Sequence, residues 1–479
     1  MLNYYRNTTI VISGITLIAL VVTIVVLLIL AGITISLVFS ENGIIAKARE
    51  AAEKTNQAVI NEQVQMNDVT AAMENMLNVA GGNGTTPEPE PELPSDGSYS
   101  EEKGVNTPNL GEGMTPIKWD ETANSGAGDW VETEGNDPEW YDYENKEWAN
   151  AKTSDGSMWV WIPRYAYSIP SAGYHTSTAT EISIEFMKGT SNEGATGQQI
   201  VNYDSSTTTN YTQFPSGYVI HPAFNYGETV SGIWVAKFEA SSVQGNGDNN
   251  TEDNITTKTI QVKPGVASWR YISIGTAYTN CLNYNKTLNS HMMKNDEWGA
   301  VAYLSRSKYG KEIEEVWINN SSSYITGSAG NSASAGTDIG TTNDYKSTQG
   351  VKASTTGNVY GVYDMSGGAW EYVAAYVDNE NESLTTNGNS LYTSTEIKTK
   401  NVYTAGSEDT GLANYNANSG IYGDAVYETS NGTYNGSGTS GSQSWYGDYS
   451  DFPYSIGSFF IRGGYYSGSS VAGMFAFLR

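Results

Sequence analysis

Between Asn7 and Ser40 the chain carries no charged side chain. That run of roughly 30 largely apolar residues exceeds the ~20 that cross a ~30 Å hydrocarbon core. It is also about twice the length of the apolar region in a removable signal peptide. The pattern predicts one hydrophobic helix. Ile44, Ala48, Ala51, Ala52, Ala58, Val59, Val69, Ala72 and Met76 continue its apolar stripe, so an amphipathic stem is expected to about Asn78. The stem would either cover the next domain or pack against copies of itself. Arg6 and the α-amino group precede the span, which places the N-terminus inside and the large domain outside.

The periodicity ends at Gly81. The segment GGNGTTPEPEPELPSDG (81–97) alternates Pro with Glu, which favours an extended, self-repelling spacer. Over the whole chain 52 acidic residues stand against 25 basic ones, a formal charge of -27 that opposes binding to nucleic acid or to an anionic surface. Three His and one Cys are scattered along the chain, not gathered as the close ligands of a Cys/His zinc site, and Cys281 has no intrachain disulfide partner. It reads as a buried small hydrophobe. With 51 Gly, 34 Tyr and 12 Trp, the composition suits short strands and turn-rich loops with aromatic packing. The stretch SSSYITGSAGNSASAGTDIG (321–340) reads as a flexible surface loop.

Residues 111–154 predict a small aromatic strand module. Within it, Trp140, Tyr141, Tyr143 and Trp148 could stack a sugar or form a hairpin packed on the main domain; neighbouring Asp, Glu and Asn favour the hairpin. Core elements are expected at 157–167, 217–224, 232–241, 297–310, 357–376 and 460–479. The segment 297–310 predicts a helix with Ala300, Val301 and Leu304 on one face. Met474–Phe475–Ala476–Phe477 predicts an alternating terminal strand that closes the fold.

Catalytic signals are scarce. His175, His221 and His291 are scattered, and neither a G-x-S-x-G elbow nor an H-E-x-x-H pair occurs. His221, in VIHPAF, reads as the cap of a strand end. Asp364 and Glu371 flank a Met-Ser-Gly-Gly turn. They either offer carboxylates to Ca²⁺, or Asp364 caps the turn while Glu371 pairs with Arg462. Arg306, Arg462 and Arg479 are read as holding loops through buried carboxylates and carbonyls.

Two stretches carry resemblances. GITLIALVVTIVVLLILAG (14–32) resembles the N-terminal segment of type IV pilins and pseudopilins. The resemblance implies cleavage after Gly14 by a prepilin-type peptidase, methylation of the new N-terminal Ile15, and self-association through the helix. Ala19 stands where the family carries Glu, and Ser13 where it carries Lys or Arg. Farther on, WGAVAYLSRSKYG (298–310), GVYDMSGGAWEY (361–372), RGGYY (462–466) and GMFAFLR (473–479) together resemble the sulfatase-modifying factor, or formylglycine-generating enzyme, family, whose fold is C-type-lectin-like. Gly368 replaces the usual Asn and Tyr372 the usual Trp. Enzymatic members use a copper-binding Cys pair near the C-terminus, and no Cys follows Cys281.

The expected fold class is therefore α+β: a long N-terminal hydrophobic helix, then a lectin-like domain with short strands, few helices and long loops. The expected divisions are a leader-like peptide (1–14), the helix and stem (15–79), a linker (80–110), the strand module (111–154) and the lectin-like domain (155–479). The expected function is a bacterial cell-surface protein, membrane-anchored or in an extracellular filament, displaying a non-catalytic domain for adhesion to a glycan or protein ligand. A filament subunit is the alternative and a surface hydrolase a distant third. Candidate ligand contacts are Trp445, Tyr446, Tyr449, Tyr465, Tyr466, Ser467 and Ser469, with Ca²⁺ at Asp364 and Glu371.

Overall fold

The computed structural model describes residues 96–200, 213–245, 252–338, 342–434 and 443–479. Residues 91–479 make one compact unit. Two-residue strands β1 (Tyr99–Ser100) and β2 (Val105–Asn106) open it as a small hairpin. Next come β3 (Met114–Asp120), β4 (Asp129–Glu132), β5 (Asn150–Thr153) and β6 (Met158–Pro163). Rich in Trp, Val and Ile and free of Gly, β6 suits a pleated interior position. After β7 (Tyr165–Ser168), β8 (Ser183–Phe186) and β9 (Val219–Ile220), the chain reaches β10 (Gly232–Ala236). The largest sheet has the order β10-β6-β5-β3-β4 and is antiparallel throughout, with Trp234 opposite Trp161 and Trp119 opposite Trp130. The boundary expected between 154 and 155 lies inside this sheet, because β5 and β6 pair across it. A second sheet runs β8-β7-β9.

The hairpin β11 (Ser241–Ser242) and β12 (Ile260–Gln261) precedes two helices, α1 (Ile274–Tyr284) and α2 (Asn295–Ser305). The last sheet has the order β14-β13-β15-β16: β13 (Glu371–Asp378) lies parallel to β14 (Asn401–Thr404) and antiparallel to β15 (Phe459–Arg462), and β16 (Phe477–Leu478) closes the edge.

Helix α2 is the axis of the core. Every residue from Asn295 to Ser305 is buried, so no polar face exists. At its N-terminus Glu297 Oε2 accepts the Lys294 backbone N–H at 2.8 Å. Asp296 and Glu297 also place negative charge in the first turn, where the helix dipole favours it. Trp298 donates its indole N–H to Met474 O at 2.7 Å, and Tyr303 OH donates to Glu428 Oε2 at 2.8 Å. Gly299 packs on the 423 backbone so closely that a Cβ would lie 1.9 Å from Gly423 O.

Several expectations need correcting. Among the described residues no helix is long and apolar enough to cross a membrane; α1 and α2, the two longest, have 11 residues each. The described fold is a mixed α+β domain of short strands without a long hydrophobic helix. The transmembrane helix and membrane-anchored placement are withdrawn. Segments 1–14 and 15–79, the processing pair Gly14 and Ile15, and the linker up to Ser95 lie outside the described residues. The helix expected over 297–310 occupies 295–305 instead and is buried all round, not on one face. The terminal strand is only Phe477–Leu478, and Met474, Phe475, Ala476 and Phe477 are all buried, so they do not alternate.

Candidate ligand-binding face

The face is built on the turn that enters β13. Asp364 adopts φ 64°, a left-handed conformation that Asp tolerates better than most residues. Its carboxylate joins three segments. Oδ1 accepts from Asn319 Nδ2 and Gly327 N at 2.9 Å each, and Oδ2 accepts from Gly327 N at 3.0 Å and Glu239 N at 3.2 Å. Two glycines follow because nothing larger fits: a Cβ on Gly367 would meet Asn319 O at 2.3 Å, and one on Gly368 would meet Glu239 Oε1 at 2.3 Å. Backbone bonds then tie the turn to the C-terminal segment, Gly367 N to Gly463 O at 3.0 Å and Tyr466 N to Gly368 O at 2.9 Å.

Rings project from this clamped backbone as a continuous strip. Trp370 stacks on Tyr465 with centroids 5.3 Å apart, Tyr465 meets Tyr466 edge-on at 5.8 Å, and Tyr466 meets Tyr324 edge-on at 4.9 Å. The Arg270 guanidinium ends the row, 4.0 Å above the Tyr324 ring. Tyr465 is 36% exposed, and Trp370, Tyr466 and Tyr324 are half-buried.

Carboxylates lie against the backbone that carries the strip. Glu239 is buried; its Oε1 accepts Ala369 N–H at 2.8 Å and its Oε2 has no hydrogen bond. Burial and the charges of Glu371 and Asp364 push Glu239 well above the ordinary carboxylate range, and the nearby Ser268 hydroxyl offsets this only in part. Glu371 is half-buried, and desolvation with the Asp364 charge pushes it up as well. Burial raises Asp364 to about 6 against the pull of its N–H donors. Among the described ion pairs, none involves Glu239, Asp364 or Glu371.

The geometry bears on the turn-capping reading of Asp364. Asp364 spends both oxygens on N–H donors, which makes it the clamp of its turn. Among the described residues no group of three His, Cys, Asp or Glu side chains is arranged to hold a metal ion. Glu371 and Arg462 are opposed across β13 and β15, yet Arg462 Nη2 donates to Ala425 O at 3.1 Å instead.

The seven C-terminal candidates divide. Tyr465 and Tyr466 belong to the strip and Ser467 continues it along the chain. Ser469 Oγ donates to Ser334 O at 2.9 Å. Trp445 is fully buried, donating its N–H to Gly173 O at 3.0 Å. Tyr446 turns away, its OH donating to Ile313 O at 3.0 Å and its ring 5.1 Å from the Arg306 guanidinium. Tyr449 is half-buried beside Val471, whose carbonyl takes its N–H at 3.0 Å. Sequence reasoning missed Tyr324, Arg270 and Trp370 as contact residues. Trp370 at least sat in a motif; nothing local marked Tyr324, inside a stretch read as a flexible loop. The described part of that loop is ordered by bonds such as Asn320 Nδ2 to Gly336 O at 2.7 Å and Asn319 Nδ2 to Ile325 O at 2.9 Å.

Elsewhere, Trp140, Tyr141, Tyr143 and Trp148 are buried, with Tyr143 OH on Trp161 O at 2.7 Å and Trp148 N–H on Tyr309 O at 2.8 Å; they present no platform. His221 Nδ1 accepts Ala223 N–H and caps the turn Pro222–Phe224, and burial with the Lys294 charge lowers it to about 3. His291 bonds Glu297 at 2.9 Å, and His175 stacks on Tyr427 at 4.0 Å. No family model and no curated protein matches the chain. The resemblances to type IV pilins and to the formylglycine-generating enzyme family are accordingly set aside.

Proposed function

We propose that this chain is a non-catalytic binding protein whose recognition face is the strip Trp370, Tyr465, Tyr466 and Tyr324. The observation that carries the reading is the unbroken row of partly exposed rings on a backbone pinned by Asp364 and by the Gly367 and Tyr466 amide bonds. Tyr and Trp give large contact areas at small entropic cost, which is why they dominate binding hot spots. Loops supply the strip while the frame behind it is buried, a common division between recognition and support. The ligand class is a glycan or a protein segment. Screening the full-length chain against glycan and peptide panels, with the double variant Tyr465→Ala/Tyr466→Ala alongside, tests the proposal. Selected ligands should bind the variant at least about tenfold more weakly while its melting temperature stays within about 2 °C of the parent, since surface changes rarely cost much stability. Undiminished binding by a folded double variant would refute it.

A further inference from the structure

We infer that the strip takes a cationic group, the guanidinium or ammonium of a basic side chain on a peptide. This rests on reading the strip as the recognition face and adds the charge of what it recognises. Both carboxylates lie against the backbone from which the rings rise. Glu239 sits beneath Gly368, its two oxygens 2.3 and 3.3 Å from where a Cβ of that residue would be, and Glu371 Oε1 is 3.6 Å from the corresponding point on Gly463. Gly368 bonds Tyr466 through its carbonyl, and Gly463 leads through Gly464 into Tyr465.

The acids are not balanced. Glu239 is 6% exposed, and Glu371 is half-buried. With no ion pair among the described residues, Glu239, Asp364 and Glu371 repel one another wherever they ionise. A cation laid on the rings beside the partly exposed Glu371 relieves that repulsion, because aromatic faces attract cations and the carboxylate supplies the counter-charge. The far end of the strip already shows the chemistry, with the Arg270 guanidinium 4.0 Å over Tyr324. A formal charge of -27 on the whole chain draws basic partners in the same direction. A planar guanidinium suits the stacked Trp370 and Tyr465 rings better than a spherical ammonium, so arginine should exceed lysine.

Calorimetric titration of the full-length chain with the peptide acetyl-Gly-Arg-Gly-Arg-Gly-amide tests this, with otherwise identical peptides carrying citrulline, lysine or glutamate in place of arginine. Citrulline keeps the shape of arginine without its charge. The arginine peptide should bind at least about tenfold more tightly than the citrulline peptide, and affinity should fall as salt rises. Glu371→Gln should remove most of that preference with no change in fold by circular dichroism. Tyr465→Ala should weaken arginine and citrulline peptides alike. If both peptides bind equally, lose affinity with Tyr465→Ala and ignore Glu371→Gln, the cationic inference fails while the recognition face stands. If no peptide binds, or none in a Tyr465-dependent way, this inference fails, and the glycan panel alone then decides the face.

Discussion

Glu428 shows how a single buried residue sets the behaviour of its surroundings. It accepts Tyr167 OH at 2.9 Å and Tyr303 OH at 2.8 Å, and Gly423 N–H besides, yet burial still raises it to about 8. A carboxyl raised above its unfolded value contributes stability that is complete below about pH 4.5 and declines as pH climbs to about 8. Glu428→Gln keeps the shape and removes the titration. The variant should therefore show a smaller drop in melting temperature between pH 5 and 8 than the parent, measured by calorimetry at matched ionic strength. An unchanged slope would mean another group controls that window. No spacing or motif marks Glu428, because its environment comes from Tyr167, Tyr303 and Gly423, distant in sequence or on a turn.

At the scale of elements, α2 shows what periodicity can and cannot reveal. Ala300, Val301 and Leu304 were legible as a helix segment, since residues three or four apart share a face. The burial of Asn295, Asp296, Glu297 and Ser305 was not legible, because polar residues ordinarily mark the solvent side. They are buried because Lys294, Asn401 and Tyr403 meet them: Asn295 Nδ2 donates to Tyr403 OH at 2.7 Å, and Asn401 Oδ1 accepts Asp296 N–H at 3.1 Å. Close packing also fixes Gly299, whose Cβ position falls 1.9 Å from Gly423 O. Gly299→Ala gains helix propensity but forces the helix off the 423 turn. The net loss should be about 2 kcal/mol, read from urea unfolding midpoints with an unchanged m-value. The turn Asp364–Glu371 was legible as a motif, and its clamp role follows from Asp364 reaching Asn319 and Gly327, the latter in a stretch whose composition reads as a flexible loop.

For the whole molecule, the raised acids act together. Burial lifts Asp364, Asp424 and Asp451 to about 6 and Glu428 to about 8. Each is stabilising while protonated in the fold, and each contribution is lost as pH rises through its window. The formal charge of -27 adds self-repulsion in the same direction. Glu297 opposes them at the acid end: burial favours its proton, but the charges of His291 and Lys294 hold it down at about 2, so its contribution is lost as pH falls below about 4.5. Thermal stability should fall steadily from pH 5 to pH 8, a trend that melting curves across that range can check. A flat or rising profile would show that the buried carboxylates are ionised without cost.

What the sequence determined by itself was the kind of material: short strands and aromatic turns, a helix near residue 300, a Gly-rich turn after Tyr363, and a C-terminal Gly-Gly-Tyr-Tyr segment worth suspecting as a contact. These are local properties, written in side-chain type and spacing. The tertiary structure decided which aromatics face outward. Trp445 and Tyr465 look alike in composition and context, yet one is in the core and the other 36% exposed. It also brought Tyr324 to Tyr466 and Arg270 to Tyr324 from far along the chain, and set Glu239 and Glu371 against the backbone that carries those rings. Burial and encounter depend on contacts between residues distant in sequence, so no window of neighbouring residues contains them.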